Sequence, residues 1–161
     1  MIDDLIDIIG KEAALFASFL ELLERQRRML VDNDVEGLSR VTELQREKLV
    51  ESQLLNRRRE ELVEQVKQAN AIEGDLNVTR LLEMIDQDQA HQLNKLRDLI
   101  QSLNDKITTT RNQNVMLLNR SREYIARTME MLSRIGGPSD QYAACGAPEN
   151  RAASVAVDRR G

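Results

Sequence analysis

One uninterrupted heptad register constrains the fold of this chain more than any other sequence feature. A seam with alternating spacings of three and four residues is typical of a long helix packed against other helices. Aromatic residues make up only 2% of the 161 residues, so a compact mixed α/β core would lack its usual large side chains. We therefore predict an all-α protein. The seam consists of Leu93, Leu96, Ile100, Leu103, Ile107, Thr110, Asn114, Leu117, Ser121, Tyr124, Thr128, Met131 and Ile135.

Two further long helices precede this one. Apolar residues at three-four spacing predict a helix from Ile2 to Val31 and another from about Val35 to Ala69. Between them, Asn33 is predicted to cap the second helix, with Glu36 reaching back to it. The stretch NAIEGDLN is a second break, and VTRLLEMID after it predicts a short helix capped by Asp75 or Asn77.

Three long helices with short breaks predict an antiparallel up-down-up bundle over residues 1–135. The third helix, starting at about Gln89, exceeds its neighbours by roughly 20 Å at 1.5 Å per residue. We expect its end to overhang the bundle. Residues 136–161 begin with the helix-stopping sequence GGP and contain no Leu, Ile or Phe, so they predict a flexible tail.

The predicted overhang carries a wide face that is partly apolar and partly polar. Its apolar members include flexible methionines, which adapt to partners of varied shape and also fill cores. Exposed apolar surface on an otherwise polar protein marks a partner site. The stripe is therefore predicted to serve both the bundle and a helical partner. Its members are Asn114, Met116, Leu117, Leu118, Asn119, Ser121, Tyr124, Ile125, Met129, Met131 and Leu132.

The sequence offers little chemistry. The single histidine, His91, has only Asp88 one turn away, and the single cysteine, Cys145, has no histidine near it in sequence. Neither GxGxxG nor GxxxxGK[ST] occurs. We predict no catalytic residue, no metal and no cofactor, and hence no enzyme.

Other binding classes are disfavoured. The formal net charge of −4 gives no general attraction to nucleic acid. The basic run Arg57–Arg59 is followed by Glu60, Glu61 and Glu64 and predicts a salt-bridged helix face. There is no apolar run of 18 residues, and the first residues are acidic where a signal peptide is basic. We expect a cytoplasmic protein without stable membrane insertion.

Three stretches resemble the FlgN-like flagellar export chaperones. They are LLERQRRMLVDNDVEGLSRV, LQREKLVESQLLNRRREELV and RNQNVMLLNRSREYIARTMEML, within a likeness covering roughly Leu5 to Leu132. The third stretch is the most specific, because Asn, Leu-Leu, Ser and Tyr-Ile recur there in order. The resemblance implies a cytoplasmic helical chaperone that binds the C-terminal helical segments of the hook–filament junction proteins. It would keep them from assembling early and deliver them to the type III export gate.

The resemblance also implies roles for individual residues. The family's binding stretch falls on Asn114 to Leu132, and its tyrosine falls on Tyr124, implying that Tyr124 docks at the export gate. The residues expected to contact the client are Asn114, Leu117, Leu118, Ser121, Ile125, Met129 and Leu132.

A second class of function remains open from the residues alone. The heptad of the third helix could pair with its own copy in a self-associating coiled-coil scaffold, or in another small secretion accessory protein. The chaperone hypothesis instead expects a client-free monomer, or weak self-association. The oligomeric state therefore discriminates between the two.

Overall fold

The computed structural model describes residues 1–136, and these contain four α-helices. They are α1 (Ile2–Asp32), α2 (Val35–Ala69), α3 (Val78–Met84) and α4 (Gln87–Ile135). The predicted all-α class is confirmed, and so is the short helix between the second and third long ones. The predicted tail, apart from Gly136, lies outside the described residues.

The chain divides into two compact units, Met1–Ser121 and Arg122–Gly161. The first unit contains α1, α2, α3 and the first part of α4. The described residues of the second unit form the last part of α4 and Gly136. The predicted boundary between residues 135 and 136 stays a prediction.

The junction between α1 and α2 is only two residues long. Asn33 adopts a left-handed conformation with φ 54° and ends α1, while the next amide, of Asp34, donates to Met29 O at 2.9 Å. Asp34 then begins α2, because its carboxylate accepts from the Gly37 amide at 2.8 Å. The predicted capping role of Asn33 in α2 is therefore wrong. Asparagine tolerates the left-handed region, so it closes the preceding helix and leaves the cap to the adjacent aspartate.

Side-chain contacts give the directions of the helices in the first unit. Glu12 pairs with Arg59 and Gln26 with Gln45, so residue numbers fall along α2 as they rise along α1. Asp3 accepts from Gln89 at 2.7 Å and Gln113 accepts from Arg27 at 3.0 Å, each pair 86 residues apart. At these contacts α1 is antiparallel to α2 and parallel to α4.

The core of the first unit draws on all four helices. Side chains from α1, α2, α3 and α4 form one buried cluster, consisting of Leu5, Ile8, Leu62, Leu81 and Leu93. Partly buried residues around α3, including Leu76, Leu82 and Ile85, pack against it. Removing such apolar side chains from water is the main stabilising contribution to a fold of this kind.

Two further caps fix the start of α3 and α4. Asn77, one of the two caps predicted for the short helix, accepts from the Arg80 amide at 2.9 Å. Asp86 accepts from the Gln89 amide at 2.8 Å and caps α4, whose first residue, Gln87, lies two residues before the predicted start.

At the start of α1, the pKa of Asp4 is lowered by its hydrogen bond to the N-terminal ammonium, 2.9 Å away.

Candidate protein-binding surface

Within the first unit, the burial of α4 residues follows the predicted seam. Every seam residue from Leu93 to Ser121 is buried or half-buried. The remaining four seam residues are exposed: Tyr124, Thr128, Met131 and Ile135. The heptad pattern therefore predicts burial correctly along the part of α4 that has α1 beside it.

Asn114 lies inside the first unit, with only 2% of its surface exposed. Its Nδ2 donates to Leu23 O at 3.0 Å and to Gln26 Oε1 at 2.9 Å. Asn114 is predicted from the sequence to contact the client. In the structure its side-chain amide is engaged with α1, so the client contacts proposed for this protein do not include it.

Asn114 is one member of a polar layer that joins three helices. Gln26 of α1 accepts from Asn114 and donates in turn to Gln45 Oε1 of α2, at 3.4 Å. The Oδ1 of Asn114 and the Nε2 of Gln45 are buried without a hydrogen-bond partner among the described residues. The layer was not predicted, although Gln26 and Gln45 each follow a buried residue (Leu22 and Val41) by four positions, on the same helix face.

The other predicted client contacts in the first unit differ in accessibility. Leu117 and Ser121 are half-buried, whereas Leu118 is 42% exposed. Val115 and Met116, two nearby apolar residues of α4, are also exposed. Apolar surface is thus already open to a partner within the first unit.

In the second unit every described residue is exposed. Ile125, Met129 and Leu132 lie at positions i, i+4 and i+7 of one helix face. We call these three residues the C-terminal stripe. Tyr124 is 74% exposed, so its ring makes no core contact among the described residues. A contiguous apolar face of this kind marks an interaction surface.

A groove lies between the end of α1 and the middle of α4, wholly within the first unit. Its volume is about 280 Å³. Val31, Met116 and Leu117 provide its apolar lining. Arg27, Gln113 and Arg120 complete it. We call this the α1–α4 groove.

The described residues hold no arrangement for metal chemistry. Within residues 1–136, no group of three or more His, Cys, Asp or Glu side chains could hold a metal ion. His91 is exposed on α4. Cys145 lies outside the described residues. No helix in the described part of the chain has the length and apolarity needed to cross a membrane.

The basic run on α2 behaves as a salt-bridged face. Arg58 pairs with Glu61 at 2.9 Å, and Arg59 pairs with Glu12 of α1 at 3.0 Å. The predicted interpretation of this run is confirmed for Arg58, whose partner Glu61 lies on the same helix. Arg59 also links α1 to α2, which the sequence alone did not predict.

Long helices with an open apolar face are typical of proteins that bind other proteins through a helical surface. Comparison with known proteins gives the family within that class. The sequence model described as FlgN protein matches residues 1–150, and the chain belongs to the FlgN family. It is therefore of the flagellar export chaperone class that the resemblance implied. Neither the curated proteins nor the solved structures contain a match to the chain.

Proposed function

We propose that this protein is a cytoplasmic chaperone that binds the C-terminal helical segments of the hook–filament junction proteins. It prevents their early assembly and delivers them to the flagellar export gate. The observation that carries the proposal is the exposed C-terminal stripe on α4 of a FlgN-family chain. An amphipathic client helix can lay its apolar face along such a stripe.

The proposed client contacts are the accessible members of the predicted set. Leu118, Ile125, Met129 and Leu132 supply apolar area, while Leu117 and Ser121 are half-buried and contribute part of their surface. Each apolar side chain that becomes fully buried contributes about 1.5–3 kcal/mol before ordering costs.

The proposal includes an architecture. The three long helices form an up-down-up bundle, in keeping with the contacts of α1 to α2 and of α1 to α4. In this arrangement α1 and α2 stabilise the first part of α4, and the rest of α4 presents the stripe.

Client capture tests this function directly. Purified C-terminal segments of the hook–filament junction proteins should be retained by the wild-type chain and lost by an Ile125→Glu, Leu132→Glu variant. The matched control is Leu49→Glu, Leu54→Glu, which charges two exposed leucines of α2. Retention by the stripe variant, or equal loss by the control, would contradict the proposal.

Tyr124 is proposed to act in delivery to the export gate rather than in client capture. Its exposed ring makes Tyr124→Ala a clean test, because no core contact is lost within the described residues. We expect the variant to capture clients as wild type does and to export less of them in cells. Loss of capture would instead assign Tyr124 to the client surface.

A further inference from the structure

The basic side chains of α2 and those of the α1–α4 groove differ in how many have an acidic partner. On α2, six of them have an acidic partner within 4.0 Å: Arg40, Arg46, Lys48, Arg58, Arg59 and Lys67. In the α1–α4 groove the pattern is different. Within residues 1–136, no salt bridge includes either arginine of the groove, Arg27 or Arg120. Six of the seven basic side chains of α2 are thus paired, whereas both arginines of the groove keep their charge available to a partner.

Apolar and basic features coincide in the α1–α4 groove. Val31 is 62% exposed and Met116 57% exposed, which is high for apolar side chains that share one concave surface. Arg27 and Arg120 line the same groove, and Arg27 is held by its hydrogen bond to Gln113 at 3.0 Å. A complementary partner needs apolar anchors between acidic side chains.

We infer that the α1–α4 groove binds an amphipathic helix whose apolar face is flanked by acidic side chains. The inference rests on the proposed function, because it takes this helix to be part of the client. It extends that function by giving the client a charge pattern. It also assigns contacts on α1, where Val31 and Arg27 face the same occupant as Met116 and Arg120.

The occupant is assigned to the client because the two arginines of the groove, Arg27 and Arg120, are complementary to acidic flanks. A second copy is the competing occupant, since its α2 exposes Leu49 and Leu54 near the exposed Glu47 and Glu51.

The charge pattern has a consequence for specificity. Arginine–carboxylate pairs at the rim of an apolar site affect partner choice and association rate more than total affinity. A helix with the same apolar face and basic flanks would meet like charges and be rejected. The groove therefore discriminates among helices that share one apolar face and differ in the charge of their flanks.

The test uses designed peptides, so that it does not depend on the identity of the client. One 20-residue helical peptide carries leucines at three-four spacing with glutamate flanks, and a second has the same leucines with lysine flanks. A third keeps the glutamates and replaces the leucines with alanines. Binding to the full chain is measured by fluorescence anisotropy at low and high salt.

We expect the Leu/Glu peptide to bind at least about tenfold more tightly than either other peptide, and to weaken as salt rises. The Arg27→Glu, Arg120→Glu variant should lose this preference. The control Arg40→Glu, Arg57→Glu variant makes the same charge change on α2 and should keep it. Melting curves of both variants should match wild type within a few degrees, because all four arginines are exposed.

Several outcomes would overturn the inference. They are equal binding of the Glu- and Lys-flanked peptides, no binding of either, equal binding of the Leu- and Ala-containing acidic peptides, or equal behaviour of the two arginine variants. None of these bears on capture of junction-protein segments by the C-terminal stripe. Failure of that capture alone would overturn the proposed function and leave the peptide result standing.

Discussion

Asn114 shows how one polar side chain orders several helices. Its amide nitrogen donates to α1 twice, yet its oxygen is buried without a partner among the described residues. An unsatisfied buried polar atom costs roughly 1–3 kcal/mol. The layer is therefore a weak contributor to stability. Its bonds form only when Asn114 lies opposite Leu23 and Gln26, so it favours one alignment of α4 along α1.

Substitutions of Asn114 separate these effects. Asn114→Asp replaces the donating nitrogen by an oxygen that faces Leu23 O and Gln26 Oε1, and it buries a charge without a partner. We expect it to lower the free energy of unfolding by about 3 kcal/mol or more. Asn114→Leu buries no charge but leaves Gln26 Oε1 without its donor, so its effect should be smaller, about 1–3 kcal/mol. Urea unfolding measures both, and a milder effect of Asn114→Asp than of Asn114→Leu would contradict this account.

Ala71 is a second residue whose conformation has a measurable cost. It adopts φ 49° two residues beyond the end of α2, where Ile72 N donates to Lys67 O at 3.0 Å and Ala71 N to Gln68 O at 3.4 Å. This is a Schellman motif with alanine at the position that glycine prefers. The left-handed conformation costs an L-residue about 1–2 kcal/mol, partly offset by the greater freedom of glycine in the unfolded chain.

Ala71→Gly should therefore stabilise the protein by roughly 0.5–1 kcal/mol. The matched control is Ala69→Gly, two residues earlier and inside α2, where glycine should destabilise by up to about 1 kcal/mol. Chemical denaturation of the two variants beside wild type gives the signs. Destabilisation by both would mean that Ala71 is not strained.

At the scale of the helices, α4 contains 49 residues and α1 contains 31, which correspond to roughly 73 and 46 Å. Residues of α4 up to Ser121 alternate between buried and exposed positions, and those from Arg122 onward are all exposed. A helix without a packed face gains little stability from tertiary contacts. Substitutions there should change binding more than folding.

Charging the exposed part of α4 should spare the fold. The variant Leu118→Glu, Ile125→Glu should shift the melting temperature by only a few degrees, because both side chains are exposed. Leu103→Glu is the matched control, since Leu103 is 7% exposed and a charge there lacks a partner. We expect the control to lose several kcal/mol of stability. A similar loss of stability in the double variant would show that Leu118 and Ile125 are buried in the core.

The helices could largely be predicted from the sequence, because apolar period and turn residues act locally. The bounds of α2 agree at both ends, and α1 extends one residue beyond the predicted Val31. Asn114 could not be placed in the same way. A polar residue on a seam fits an interior layer or an open surface equally well, and its partner Leu23 is 91 residues away. The pairing of Arg59 with Glu12 has the same non-local origin.

At the scale of the whole molecule, the exposed stripe raises the question of self-association. Bringing two copies together loses translational and rotational freedom, and an interface built on one narrow helix face gives little area to offset this. We expect sedimentation velocity to show a monomer, or a weak dimer that dissociates on dilution. A dimer that persists at low concentration and disappears in the Ile125→Glu, Leu132→Glu variant would favour the coiled-coil scaffold alternative.

The two-residue junction between α1 and α2 also predicts an order of events during folding. The hairpin of α1 and α2 closes across Asn33 and Asp34, whereas the contacts of α4 to α1 join residues 86 to 91 positions apart. Distant contacts require a larger loss of chain entropy before they form, so the hairpin should nucleate and α4 should dock later. Amide exchange should accordingly show α4 opening at a lower free energy than the α1–α2 hairpin. A helix that docks last and detaches first is one whose position a bound partner can stabilise.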